Sequence, residues 1–234
     1  MKYYDPNAPR VLKHGLSSRL YHWGLMLGFI PAAITGLIIW LKPGGEDFVN
    51  LAMRIHIIGA VILTVSSLVY AIVSMDRIVA FNRVNFTWDS RDVGWFMKGG
   101  GYLQKMLLGW EVDLPPMDKV NSGQKLFGIG MLYGGMVLIV TGWILYAFIP
   151  VSPKSFIYWA NLGHLALGIF LAMFLCVHIF LSIYNWGEFR CMFFENGTQP
   201  LEEARHHTPL WVANKVIPVR PGVSTTCLCG KEKG

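Results

Sequence analysis

The feature that most constrains this chain is a set of long stretches without a charged side chain. These stretches lie between Arg19 and Lys42, Arg54 and Asp76, Lys125 and Lys154, and Lys154 and Glu188. A helix crosses the hydrocarbon layer of a membrane with about 20 predominantly apolar residues. The pattern therefore predicts an all-α integral membrane protein, a bundle of four transmembrane helices near residues 20–41, 55–75, 126–149 and 156–186.

Composition supports this class and limits the number of domains. Charged residues make up only 15% of the 234 residues, whereas soluble proteins have about 25%. We divide the chain into a membrane domain, residues 1–186, with a long loop over 76–122, and a C-terminal tail, residues 187–234. The first apolar stretch is about twice as long as the 7–15 residues of a signal-peptide core, so we expect it to be retained.

The distribution of lysine and arginine predicts the orientation. Basic residues are frequent before the first span, in the loop 76–122 and in the tail, and rare in the other two loops. By the positive-inside rule, both termini and the loop 76–122 are predicted to be cytoplasmic. The formal net charge of +6 arises mainly from these segments, so it does not require a nucleic-acid partner.

Four histidines fall inside the predicted spans: His22, His56, His164 and His178. Ionisable residues within a membrane are costly and usually functional. Given the alternating direction of the helices, His22 and His178 are predicted near the inner face, and His56 and His164 near the outer face. His164 and His178 are separated by about 21 Å along one helix and leave it on similar sides.

These depths predict two histidine pairs, His22 with His178 and His56 with His164. Neutral imidazole is a good axial ligand of haem iron, and two separated pairs suit two haems b better than one tetrahedral zinc site. A proton relay would usually include a carboxylate, and these spans contain none. A haem-free, histidine-based metal transporter and plain packing remain alternatives.

Other features of the sequence are interpreted as parts of the fold or of its contacts rather than as ligands of the metal. Glycines near the histidines, Gly24, Gly28, Gly59, Gly163 and Gly168, are interpreted as sites of helix packing. We predict an amphipathic helix at the membrane surface over residues 92–108, although the glycines at 99–101 disfavour helix formation there. Trp211 and the proline-rich stretch after it are expected to dock on a partner. Cys227 and Cys229 are a weak metal signal, and no disulfide is expected.

The motifs around these histidines resemble those of the cytochrome b (gamma) subunit of membrane-bound formate dehydrogenase. The resemblance covers roughly residues 14–211, and related dihaem cytochromes b serve nickel–iron hydrogenases and thiosulfate or polysulfide reductases. The matching elements are Arg19-Leu20-Tyr21-His22-Trp23, Arg54-Ile55-His56 with Gly59, Asn121-Ser122-Gly123-Gln124-Lys125, His164 with Gly168, and His178.

The resemblance implies an electron-transfer subunit that anchors a respiratory oxidoreductase. It implies two haems b, with electrons entering from an iron–sulfur subunit that accompanies a molybdenum or tungsten catalytic subunit and leaving to menaquinone or ubiquinone. It also implies assembly into a higher oligomer. The family's quinone site maps onto Asn121, Gly123 and Gln124, beside His178. From the residues alone, Asn121 and Gln124 form a helix-capping box; the two interpretations are compatible. The chain has no primary substrate site, and anchoring of a hydrogenase or sulfur-compound reductase remains the alternative.

Overall fold

The computed structural model describes residues 9–215 and is almost entirely helical over that range. In chain order, its elements are β1 (Arg10–Leu12), α1 (Leu16–Leu41), α2 (Glu46–Val73), α3 (Met75–Phe86), α4 (Ser90–Met97), α5 (Tyr102–Leu108), α6 (Ser122–Ile129), α7 (Gly135–Ala147), α8 (Lys154–Tyr184), α9 (Trp186–Phe193), β2 (Thr198–Pro200), α10 (Leu201–His207) and α11 (Pro209–Lys215). A 3-10 turn precedes α5, and a π-helical turn, Gly130–Gly134, joins α6 to α7.

Within residues 9–215, four helices are long and apolar enough to cross a membrane: Leu16–Leu41, Glu46–Val73, Ser122–Ala147 and Lys154–Tyr184. The predicted number of spans is confirmed, and most boundaries agree within a few residues. The second helix begins well before the predicted residue 55. Its first turn contains Glu46 and Asp47, whose negative charges are favourable at a helix N-terminus. The absence of charge thus located the apolar part of this helix but not its start.

Helices α1 and α2 pack closely through glycines. A Cβ atom added to Gly59 would lie 2.7 Å from the carbonyl oxygen of Gly28, and one added to Gly28 would lie 2.6 Å from Leu63. Gly24 faces Ser66 in the same way, with 2.4 Å between its added Cβ and the hydroxyl oxygen. The packing interpretation of Gly24, Gly28 and Gly59 is therefore confirmed, and α1 and α2 form a tight hairpin.

Helices α7 and α8 pack far more loosely than this hairpin. Among the described side chains of these two helices, Leu171 is the one that is buried. An added Cβ would meet no atom within 4 Å at Gly163, and only Leu138 at 4.0 Å at Gly168. The packing interpretation is wrong for Gly163, which faces open space beside His164, whereas Gly168 lies at contact distance from Leu138 of α7.

The loop between the second and third spans forms a layer of short helices. The predicted amphipathic helix is broken into α4 and α5, because Gly99, Gly100 and Gly101 all have positive φ, at 58°, 63° and 69°. Other residues rarely adopt this left-handed backbone conformation. An added Cβ at Gly100 would also lie 2.4 Å from Trp95. These glycines therefore turn the chain between α4 and α5, and Trp95 and Tyr102 are in edge-on contact across the turn.

A buried ion pair fastens this layer to the third span. Asp92 on α4 accepts hydrogen bonds from the Lys125 ammonium and the Ser122 hydroxyl, both at 2.8 Å. Lys125 also donates to the carbonyl oxygen of Thr87 at 2.9 Å. All three side chains of the Asp92 cluster are buried. Burial favours protonation of Asp92, but the bonds from Lys125 and Ser122 outweigh it and lower the pKa of its carboxyl group.

The two ends of the described chain meet at one end of the bundle. Strand β1 pairs antiparallel with β2, with Arg10 opposite Pro200 and Leu12 opposite Thr198. Behind them, Val11, Leu201, Ala204 and Trp211 form a hydrophobic cluster. Trp211 therefore packs within the chain, contrary to the expectation that it docks on a partner. Which side of the membrane this end occupies remains a prediction, and Cys227 and Cys229 lie outside the described residues.

Replacing Lys125 with methionine should destabilise the loop layer, because it leaves a buried carboxylate without its cation. Breaking such a pair costs about 3–5 kcal/mol, measured as a loss of thermal stability in detergent. Because the pKa of Asp92 is lowered on folding, the ion pair stabilises the native chain above about pH 4 and loses this effect as the pH falls further. The stability difference between the variant and the native protein should therefore narrow in acid.

Lys105→Met is the matched control. Lys105 pairs with Glu111 at 3.6 Å, and both side chains are exposed, so its removal should have little effect. Equal stability of the Lys125→Met and Lys105→Met variants would contradict the role assigned to the buried pair.

Candidate functional site

The structure brings the four membrane histidines together in the two predicted pairs. The ring centroids of His22 and His178 are 6.2 Å apart, with 59° between the ring planes. Those of His56 and His164 are also 6.2 Å apart, with 69° between the planes. Since α8 contributes one histidine to each pair, the pairs lie at two levels of the bundle.

The spacing within each pair fits a single metal atom held between two imidazoles. A bond from imidazole nitrogen to a first-row metal is about 2.0–2.1 Å, and the ring centre lies roughly 1 Å further. Two rings on opposite sides of one atom therefore have their centroids about 6 Å apart. Both pairs match this separation, as axial ligation of haem iron requires.

His56 and His164, called the outer pair after their predicted depth, are oriented by hydrogen bonds that their Nδ1 atoms donate. His56 Nδ1 lies 2.9 Å from the carbonyl oxygen of Ala32, and His164 Nδ1 lies 2.9 Å from Oγ1 of Thr141. The Thr141 hydroxyl donates to the carbonyl oxygen of Val137, so it accepts from His164. Metal-binding histidines usually donate one ring N–H in this way, which leaves the other nitrogen free for the metal.

A repeated Thr-Gly dipeptide forms the immediate surroundings of the outer pair. Thr35 and Gly36 face His56: Oγ1 lies 3.3 Å from Nδ1, and a Cβ at Gly36 would lie 3.3 Å from the ring. Thr141 and Gly142 face His164 equivalently, with 3.2 Å from an added Cβ to the ring. Our sequence analysis missed these residues. The signal was present, since the dipeptide recurs in two spans, each opposite a histidine on the next helix.

Aromatic rings surround the inner pair. Phe127 stacks on the His178 ring at 4.4 Å with 10° between the planes, and Phe193 packs edge-on against His22 at 6.0 Å. His22 Nδ1 is buried and has no hydrogen-bond partner among the described residues. Arg19, three residues before His22, is buried and donates to the carbonyl oxygen of Met192.

Asn121 and Gln124 form the predicted capping box. Asn121 Oδ1 accepts from the backbone N–H of Gln124, and Gln124 Oε1 accepts from the backbone N–H of Asn121, both at 2.9 Å. Gln124 is exposed, and the cap uses its oxygen, so its NH₂ group is available to an external acceptor. Phe127, one turn further along α6, contacts His178. The capping box therefore lies one helical turn along α6 from a residue, Phe127, that contacts His178.

Gly123 has a separate structural reason to be glycine. A Cβ atom added there would lie 2.7 Å from the ring of Trp95. Trp95 belongs to α4 and is buried, so the absence of a side chain at Gly123 lets the loop layer reach the start of α6. This contact places aromatic side chains of the loop layer beside the capping box.

Other metal chemistries find no support in this part of the chain. Among residues 9–215, no group of three or more histidine, cysteine, aspartate or glutamate side chains is placed to hold a metal ion. The donor set is therefore two separated pairs of imidazoles. These donors suit a flat macrocycle that already supplies the remaining ligands of its metal.

Comparisons with known proteins agree with this chemistry. Residues 13–194 match the model of the family described as prokaryotic cytochrome b561. The chain is 23% identical over 203 residues to the cytochrome b556(Fdn) subunit of the nitrate-inducible formate dehydrogenase of Escherichia coli K12, covering 86% of this chain and 89% of that protein. It is 24% identical over 227 residues to the formate dehydrogenase cytochrome b556 subunit of Haemophilus influenzae, covering 90% and 86%.

Replacing Thr141 with valine should weaken metal binding by the outer pair alone. The change removes the acceptor of His164 Nδ1–H while nearly preserving shape, and losses of this kind typically cost about 10–100-fold in metal affinity. The measurement is haem retention during purification, together with a redox titration, in which one midpoint potential should shift and the other stay.

Thr64→Val is the matched control. Thr64 is also a threonine within a span that donates to a backbone carbonyl, but it accepts from Trp143 rather than from a histidine. If both variants lose haem equally, or neither shifts a potential, the hydrogen bond to His164 does not have the assigned role.

Proposed function

Because the chain belongs to the prokaryotic cytochrome b561 family of membrane electron-transfer proteins, we propose that it is a two-haem electron-transfer subunit that passes electrons to a membrane quinone. The observation that carries the proposal is the presence of two imidazole pairs with the same 6.2 Å separation at two levels of one bundle. Haem b, when bound, supplies a reversible one-electron centre between each pair of imidazoles.

The protein's own residues hold and insulate these centres. His56 and His164 form the outer site, with orientation from Ala32 and Thr141. His22 and His178 form the inner site. Two axial histidines leave no open coordination position, which favours electron transfer over oxygen chemistry. Gly163, the neighbour of His164, is exposed and faces open space, so no side chain fills the surface of α8 at this position.

The capping box at the start of α6 is proposed as the quinone site. The exposed NH₂ group of Gln124 can donate a hydrogen bond to a quinone carbonyl while its oxygen continues to cap the helix. Phe127 connects this position to His178 by direct ring contact. Electrons would thus leave the inner site over a short distance. Two further residues complete the proposed site. Asn121 caps α6, and Gly123 has no side chain, which allows Trp95 to pack against it.

The partners follow from the names of the relatives. Both are cytochrome subunits of formate dehydrogenases, which supports an iron–sulfur subunit and a molybdenum or tungsten catalytic subunit on the outer side. This favours formate dehydrogenase over hydrogenase or sulfur-compound reductase as the attached enzyme. Membership of a cytochrome family also favours haem over the transporter alternative. We propose that the protein lies in the bacterial inner membrane with both termini cytoplasmic, where quinone reduction takes up protons.

Single histidine replacements should each remove one haem. We expect His56→Ala or His164→Ala to lose the outer haem, and His22→Ala or His178→Ala to lose the inner one, because one imidazole holds the iron less firmly than two. A pyridine haemochrome count on purified protein measures this. His206→Ala, at an exposed histidine outside the spans, should keep both. Native protein without haem would refute the proposed function, and retention of both haems in a span variant would refute the pairing.

Gln124→Glu tests the quinone site separately from the cap. Glutamate preserves an acceptor for the Asn121 N–H, as in ordinary capping boxes, but loses the NH₂ donor. The loss of one hydrogen bond worth about 0.5–1.5 kcal/mol should slow quinone reduction roughly three- to tenfold. Both haems and the thermal stability should remain as in the native protein. Haem loss, or an unchanged rate, would make Gln124 a purely structural residue.

A further inference from the structure

A cavity of about 310 Å³ lies beneath the end of α8, outside the sites described so far. Its wall includes Glu188, Glu203, His206 and His207, with Lys105 at one side. Tyr184 and Asn185 at the end of α8 also line it. These residues come from α5, the end of α8, α9 and α10, so the cavity is built where the loop layer meets the folded tail.

Glu203 is held in a particular position within this cavity. A Cβ atom added to Gly187 would lie 1.3 Å from the Glu203 carboxylate oxygen, so the carboxyl group rests directly on the backbone at Gly187. Its other oxygen lies 3.6 Å from the Arg190 guanidinium. Burial, aided by the charges of Glu188 and Glu195, raises the pKa of Glu203, although Arg190 and Lys13 oppose the change. This carboxyl group therefore retains a proton at higher pH than an ordinary glutamate.

The charged and titratable groups around Glu203 come from every neighbouring element. They are Lys13, Lys105, Glu188, Arg190, Glu195, His206 and His207. Lys13 forms an ion pair with Glu188, which leaves Glu203 as the cavity carboxylate with the weaker cationic contact. Burial and the charge of His206 lower the pKa of His207.

Tyr102 connects this cavity to the capping box. Its ring packs edge-on against Tyr184, with centroids 6.1 Å apart. Its hydroxyl group lies near the side chains of Asn185, in the cavity wall, and Asn121, in the capping box. Burial raises the pKa of this hydroxyl group, and the two neighbouring amide side chains oppose the rise. Tyr102 is thus a donor and acceptor placed between two polar sites that are otherwise separated by aromatic rings.

We propose that the cavity is the proton-uptake site for quinone reduction, with Glu203 as the acid and Tyr102 as the relay to the quinone at Asn121 and Gln124. The proposal rests on the quinone-reducing function proposed above. Reduction of one quinone to a quinol consumes two electrons, delivered from the inner site, and two protons, delivered through this path. Each proton leaves the Glu203 carboxyl group, crosses water in the cavity to the Tyr102 hydroxyl oxygen as this hydroxyl gives its own proton to the quinone, and is replaced on Glu203 from solvent.

The test uses the full-length purified protein with its haems chemically reduced. It is mixed with decylubiquinone or menadione, and reoxidation is followed from the haem absorbance over a range of pH. Glu203→Gln and Tyr102→Phe should each slow reoxidation at least roughly tenfold at neutral and alkaline pH, as loss of proton transfer typically does. The deficit should shrink in acid, and the solvent deuterium isotope effect should grow.

Matched controls separate this role from general damage. Glu202→Gln alters the exposed neighbour of Glu203 on the same helix, and Tyr158→Phe alters an exposed tyrosine at the other end of α8; both should behave as the native protein. Gly187→Ala should reproduce the Glu203→Gln defect, because its methyl group displaces the carboxyl end. Haem content and spectra should stay unchanged in every variant.

An independent readout is the infrared carbonyl band of a protonated carboxyl group. We expect this band to persist to higher pH in the native protein and in Glu202→Gln than it does for an ordinary glutamate, and to be lost in Glu203→Gln. Native reoxidation rates in Glu203→Gln and Tyr102→Phe at all pH values would overturn the proton path and leave the quinone function standing. Native protein that binds haem but is not reoxidised by either quinone would instead refute the proposed function itself.

Discussion

The close contact between α1 and α2 is the constraint on which the rest of the membrane domain depends. In a membrane, apolar side chains gain little free energy by exchanging lipid contacts for contacts with one another. Helices therefore associate through close backbone packing. Gly28 and Gly59 provide that contact, and the hairpin they form holds His22 and His56 at fixed depths. The opposite wall, α7 and α8, has little such packing. The α1–α2 hairpin is thus closely packed by itself, whereas α7 and α8 leave space beside His164.

The membrane domain could be predicted well because the features that define it, charge-free stretches and alternating helix direction, can be recognised along the sequence without knowledge of the fold. The absence of charge marks a span, alternation of direction gives each histidine a depth, and depth alone selects the partners of His22 and His56. The start of α2 at Glu46 was missed, because the charged first turn of a helix resembles a loop. The Thr-Gly dipeptides were missed because their role appears only when two helices face each other.

The loop layer and the ribbon of β1 and β2 were predicted poorly, for a physical reason. Their contacts join residues distant in sequence, such as Asp92 with Lys125 and β1 with β2. Short amphipathic segments carry little periodic signal, and Gly100 reverses the chain where the pattern alone suggests a continuous helix. The capping box was recognisable from Asn121 and Gln124, yet its neighbours Tyr102 and Trp95 were not. Haem ligation and quinone binding remain predictions tied to the variants described above.

The position of α8 has a consequence for how the protein is made. Each pair of imidazoles takes one member from the α1–α2 hairpin and the other from α8, and the ribbon of β1 and β2 closes only after α9 has been synthesised. A chain still emerging from the ribosome therefore presents single histidines and no complete pair. Both pairs are complete only once α8 has been made, so any group held between them would be loaded late in biogenesis, and a chain truncated before α8 contains neither pair.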